Sequence, residues 1–214
     1  MSFIYAYKSK GTIFVLSDTK PTTDNEDMLK MEKVFSKAEY YNLKKYGFIK
    51  TIIYKPNITI SSAGNVEHFN ELLMKLYENN LEDAKAITSI AFDVNCKYDG
   101  DADFIVTTEN DIYEVTEKGV KNVSSSWIGD EDAFSEFMEY QRNIIPDEIY
   151  YQEEVSEEES EADRKSTLIS KAFNSLIDNP RIETVGGFVV RCKYEGDTYK
   201  FLGTFMVERV KPQV

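Results

Sequence analysis

The order and chemistry of the segments predict an α+β fold, a four-layer αββα sandwich of two antiparallel sheets flanked by helices. Three observations predict it. Strand-like runs come in pairs joined by short turns rich in Gly, Pro, Asn and Asp, which makes sequence neighbours antiparallel. Helical periodicity is grouped instead of alternating with every strand, which argues against a parallel βαβ sheet. The chain has 214 residues, 42% of them hydrophobic, enough for one full-sized domain with a sizeable core. A single domain over residues 1–214 is expected, with insertions at 20–48 and 147–165.

The first element is a hairpin. Residues 3–7 and 12–17 are β-branched or aromatic runs, and Lys8-Ser9-Lys10-Gly11 between them supplies a glycine for the positive φ of a tight turn. Residues 26–45 are loosely helical, with Met28, Met31, Val34 and Phe35 recurring at helical spacing, and read as an inserted segment. A second hairpin follows over 49–54 and 58–62, turning at Lys55-Pro56-Asn57. Ser62-Ala63-Gly64-Asn65 then leads into a helix over 66–78. Asn65 is its N-cap, Val66, Phe69, Leu72, Leu73 and Leu76 form its apolar face, and Asn79-Asn80 is its stop.

Residues 89–95, 103–107, 111–115 and 121–125 read as four strands separated by turn sequences such as Tyr98-Asp99-Gly100-Asp101. A helix over 131–145, with Ala133, Phe134, Phe137, Met138 and Gln141 inward, is expected to end at Pro146. The glutamate-rich run 147–165 reads first as a solvated loop and second as an acidic docking segment for a basic partner. A helix over 166–177, broken at Asp178-Asn179-Pro180, precedes two strands over 184–194 and 199–207. Gly186-Gly187 in the first of these marks a bulge or a close backbone approach.

Charge and composition narrow the function. With 25 Lys+Arg against 38 Asp+Glu the net charge is −13, which repels nucleic acid and anionic membranes. No apolar run approaches the roughly 20 residues of a membrane span, and no signal-peptide pattern opens the chain, so a cytoplasmic location is expected. Cys96 and Cys192 fall in strand-like runs and read as core thiols in preference to a disulfide. A single histidine, His68, rules out a histidine-rich metal site and leaves a histidine-based triad without support; it reads as a surface or half-buried residue. Asp99, Asp101 and Asp103 have the opening spacing of an EF-like cation loop, but position twelve is Asn110 where a glutamate is needed. No cofactor is implied.

The chemistry concentrates at the start. Ser2 is small enough to permit removal of Met1, after which the first strand would begin with a free α-amine and a hydroxyl on one residue. Those are a base and a nucleophile. Asp18 lies sixteen residues on. Lys50 opens the strand-like Lys50-Thr51-Ile52-Ile53-Tyr54 before Pro56, and Ala63-Gly64 follows fourteen residues after Lys50. Together with 103–115, Trp127-Ile128-Gly129 and Val185-Gly186-Gly187, this set resembles the proteasome-type N-terminal-nucleophile hydrolases, most closely the HslV-like bacterial kind that lacks a long pro-segment.

The resemblance covers most of the chain and implies the roles. Ser2 stands at the place of the N-terminal nucleophile, Asp18 and Lys50 at those of its aspartate and lysine, and Gly64 in the oxyanion turn. A peptide or protein substrate and a homo-oligomer are implied as well. The roles also follow from elementary chemistry. An α-amine of pKa about 8 can serve as the base, a nearby lysine lowers its pKa by like-charge repulsion, and a carboxylate holds that lysine. One oxyanion N–H contributes roughly 3–4 kcal/mol.

Each residue has a plainer reading beside this one. Asp18 before Thr19-Lys20-Pro21 is also ordinary turn chemistry, Lys50 is also an exposed strand lysine, and Lys33 is an alternative if the insertion falls later. The chain also departs from the pattern. Where the family has a serine and, earlier, an aspartate before Gly-Gly, this sequence has Val185 and Ile182, with Glu183 one position off. Asp130 replaces a serine after Ile128-Gly129. Asp130 can accept a hydrogen bond from the N-terminal ammonium and replace the lost group, or blunt the amine's basicity. A catalytically inactive subunit with a structural or protein-interaction role is therefore the second reading.

Overall fold

The computed structural model describes residues 2–20, 47–150 and 161–202. The helical stretch expected over 26–45, the alternative Lys33, most of the acidic run and the chain past 202 lie outside them. Among the described residues are ten strands and four helices. In order they are β1 (Phe3–Ser9), β2 (Thr12–Ser17), β3 (Thr51–Lys55), β4 (Ile58–Gly64), α1 (Val66–Asn79), α2 (Ala84–Lys97), β5 (Ala102–Thr107), β6 (Ile112–Thr116), β7 (Gly119–Val123), β8 (Ser125–Gly129), α3 (Glu131–Tyr150), α4 (Glu161–Ile177), β9 (Val190–Glu195) and β10 (Thr198–Leu202). The class is α+β with two antiparallel five-stranded sheets, ordered β10-β9-β2-β1-β8 and β3-β4-β5-β6-β7.

The β1–β2 hairpin forms as expected. Its turn is tighter than the four-residue cluster suggests, because Lys10 and Gly11 alone make it, both at positive φ (49° and 82°), the two-residue geometry that matches strand twist. Asn65 caps α1, its side chain accepting the Glu67 N–H, and Asn80 closes the helix in the left-handed region.

Four expectations are corrected. Residues 84–97 are a helix, where a strand over 89–95 was expected. The β-branched run there looks strand-like, but the buried set Ile87, Thr88, Ala91, Val94 and Asn95 repeats every three or four residues, and Asp83 caps the helix by accepting the Ala86 N–H. Helix α3 runs past Pro146 to Tyr150, since a proline removes one N–H bond without being obliged to end a helix. The strand expected over 121–125 divides: β7 ends at Val123, and Ser125–Gly129 is a separate strand, β8, zipped antiparallel onto β1 from Tyr7↔Ser125 to Phe3↔Gly129. Strand β9 begins only at Val190, so Gly186-Gly187 lie before it. The Gly186 carbonyl accepts the Thr19 and Lys20 N–H groups, and the Phe188 N–H donates to Thr19 Oγ1.

Three apolar clusters separate the layers. Phe3, Tyr7, Phe14 and Leu16 from the first sheet pack on Phe137 of α3 and Phe173 and Leu176 of α4. Ile60, Phe104 and Val106 from the second sheet pack on Leu72 and Leu76 of α1 and Ile87 and Val94 of α2. Between the sheets, Ile4, Ala6, Ile13 and Val15 meet Ala63, Ile105 and Ile112. Strand alternation produces this, because odd and even positions of β1 serve different clusters.

No helix among the described residues is long and apolar enough to cross a membrane. The cysteines differ from expectation in one respect: both are free, but only Cys192 is in the core, whereas Cys96 is exposed on α2. Burial pushes the Cys192 thiol up to about 12. In native protein a thiol-reactive disulfide reagent is expected to titrate one thiol, absent after Cys96→Ser, and the second only in denaturant.

Candidate functional site

Strand β2 delivers Asp18 to the seam between the sheets, and Lys50 meets it from the residue just before β3. Asp18 is fully buried and Lys50 is 5% exposed. The Lys50 ammonium donates to Asp18 Oδ1 at 2.7 Å and Oδ2 at 2.8 Å, and to the Lys20 carbonyl at 2.8 Å. Backbone donors complete the carboxylate: Phe3 N–H on Oδ1 at 3.0 Å, and Lys20 N–H at 3.1 Å and Gly186 N–H at 3.4 Å on Oδ2. Lys50 is therefore not an exposed strand lysine, whereas Asp18 combines both of its readings: Oδ2 accepts the Lys20 N–H two residues on, an Asx-turn bond, while the buried carboxylate holds Lys50. Burial pushes the Lys50 ammonium below the usual lysine range and the Asp18 carboxyl upward, each opposed by the charge of the other. An ion pair this dry depends on its full complement of donors.

The Phe3 N–H belongs to the peptide bond that Ser2 forms with Phe3, so the pair sits directly against the first strand residue. Ser2 is itself buried. On its other side, Asp130 N–H donates to the Ser2 carbonyl at 2.9 Å. Gly129, at φ +109°, approaches so closely that a Cβ there would overlap the Ser2 carbonyl and come within 3.4 Å of the Ala63 Cβ. Ala63-Gly64, the end of β4, is therefore brought to the same place. The Ser62 N–H donates to the Lys50 carbonyl; by strand alternation the Gly64 N–H faces the same way, beyond the first residue of β3. Gly64 has φ +121°, and any Cβ would strike the Asp101 carbonyl and the Ala102 backbone, so only glycine fits.

Ser2, Asp18, Lys50 and Asp130 thus meet at the start of β1, and Ala63, next to Gly64, reaches the same place. The Asp130 carboxylate is held by two donors. Its Oδ1 accepts the Ala133 N–H at 2.9 Å, which caps the start of α3, and its Oδ2 accepts the Thr184 hydroxyl at 2.5 Å. Thr184, Thr19 and Lys20 were missed. A lone hydroxyl two residues before Gly-Gly carries no periodic signal, and Lys20 contributes backbone groups that any residue has.

His68 is also corrected. It is buried and stacked on Tyr98 (ring centroids 3.7 Å apart, 11° between planes), its Nδ1 lying 3.6 Å from Asp101 Oδ2. Among the described residues no group of three His, Cys, Asp or Glu could hold a metal ion. Asp103, on β5, is half-buried, and burial with help from Glu114 and Glu117 raises it to about 6 against the pull of Asn95. A carboxyl titration by NMR is expected to give Asp103 a midpoint near 6. Because its native pKa is raised, its ionisation opposes folding, so stability should rise as pH falls from 7 towards 4, and Asp103→Asn should flatten that slope.

No family model and no curated protein sequence matches the chain.

Proposed function

We propose that the chain is an N-terminal-nucleophile amidohydrolase with the proteasome-type αββα sandwich, a peptidase in which Ser2, exposed by removal of Met1, attacks the carbonyl carbon of an amide. The observation that carries this reading is the buried Asp18–Lys50 pair set against the Ser2–Phe3 peptide. A lone ion pair is poor value as a stabilising device, and hydrophobic residues of similar volume usually do as well. Its place beside a strand terminus makes sense if it tunes that terminus.

In this mechanism the α-amine of Ser2 takes the hydroxyl proton as Oγ bonds to the substrate carbonyl. The Gly64 N–H meets the developing oxyanion. The amine then passes its proton to the leaving nitrogen as the C–N bond breaks, which leaves an ester on Ser2. Water, deprotonated by the same amine, cleaves the ester and restores the hydroxyl. Lys50 keeps the amine neutral by like-charge repulsion, and Asp18 holds Lys50. A homo-oligomer that encloses the sites belongs to the same reading, by resemblance.

Intact mass first reads whether Met1 is lost. A β-lactone probe is then opened by Ser2 Oγ with every atom retained, so the mass rises by the full mass of the probe. Modification at Ser2, abolished in Ser2→Ala, supports the reading. A retained Met1, or a processed but inert Ser2, overturns it in favour of a silent structural subunit.

A further inference from the structure

We infer that Thr184 is a positioning residue for this centre, acting on Ser2 through Asp130. The inference rests on the reading of Ser2 as nucleophile. Two segments hold the peptide group of Ser2: Asp18 accepts the Phe3 N–H on one side, and Asp130 N–H donates to the Ser2 carbonyl on the other. The chain from Thr184 to Phe188 fastens both. Gly186 N–H donates to Asp18 Oδ2, the Gly186 carbonyl accepts from Thr19 and Lys20, and Phe188 N–H donates to Thr19 Oγ1. At its other end the Thr184 hydroxyl donates to Asp130 Oδ2 at 2.5 Å.

The Thr184–Asp130 bond is the one side-chain link from this segment to the Asp130 side of Ser2 among the hydrogen bonds described above. Asp130 is 8% exposed, so its carboxylate depends on protein donors. Oδ1 is satisfied from its own helix by Ala133, and Oδ2 is satisfied from across the chain by Thr184. Without the hydroxyl, Oδ2 must turn towards water, and the Asp130 backbone that grips Ser2 moves with it. A misplacement of about an ångström at a nucleophile costs up to about a hundredfold in rate.

The test follows β-lactone modification of Ser2 in the full chain, comparing wild type with Thr184→Val, which keeps the shape and loses the hydroxyl, and with Thr184→Ser, which restores it. The maximal modification rate, kinact, is expected to fall on the order of tenfold to a hundredfold in Thr184→Val. The probe's KI and the fraction of protein finally modified should stay unchanged, and Thr184→Ser should recover most of the rate. A merely structural role predicts a smaller reactive fraction at unaltered kinact, and that outcome overturns the inference while leaving Ser2 as nucleophile. An inert wild type overturns both. If Thr184→Val does not fold, Thr184→Ala decides: a lowered kinact at unchanged KI supports the inference, and wild-type kinact overturns it.

Discussion

Lys50→Met is expected to lower unfolding free energy by roughly 3–5 kcal/mol, because it leaves the Asp18 carboxylate buried without its counter-charge. The three hydrogen bonds that one ammonium donates are lost together, two to Asp18 and one to the Lys20 carbonyl, and methionine replaces none of them. Denaturant unfolding followed by circular dichroism measures the loss. The double variant Asp18→Asn, Lys50→Met should regain part of it, since the amide oxygen still accepts backbone N–H groups and no charge remains to be desolvated. Modification of Ser2 should not return in the double variant. That divergence separates the pair's contribution to folding from its contribution to chemistry. Equal losses in the single and double variants would show that the charge is not what matters.

The second large effect is expected at Gly129. Gly129→Ala places a methyl group on the Ser2 carbonyl and demands a backbone angle of φ +109° that alanine rarely adopts. The conformational strain alone costs about 1–3 kcal/mol. Relief requires the end of β8 to part from the start of β1, which breaks the Asp130 N–H bond to Ser2. Midpoint denaturant concentration should fall, and Ser2 modification should drop below detection. By contrast Gly119→Ala, at φ +114° with nothing within 4 Å of the new methyl, pays the angle without the collision. It should destabilise by less and leave modification intact. Matching behaviour of the two variants would mean that the close approach at Ser2 has no special weight.

Much of this centre was legible from local chemistry. A strand-like run fixes which residue ends a strand, and Asp18, Lys50 and Gly64 each sit at or next to such an end. Hairpins then bring ends together with little freedom. Pairs across longer stretches were less visible. Thr184 and Asp130 are joined by a hydrogen bond across 54 positions of the chain, which no local pattern marks. Helix α2 failed for a different reason: Ile87, Thr88, Ile90 and Val94 favour strands intrinsically, and packing against β5 and β6 overrode the preference.

The division of the core has a further consequence. Ser2, Asp18 and Asp130 belong to the sheet covered by α3 and α4, whereas Lys50 and Gly64 belong to the one covered by α1 and α2. Each half has its own oily lining, and the groups to which the proposed mechanism gives roles are shared between halves. Slippage of one slab over the other by a fraction of a residue would leave both halves wrapped and nearly all backbone bonds intact, yet separate Ser2 from Gly64, the nucleophile and oxyanion donor of the proposed mechanism. Reactivity is therefore a finer gauge of how the two slabs are docked than any measure of helix or strand content.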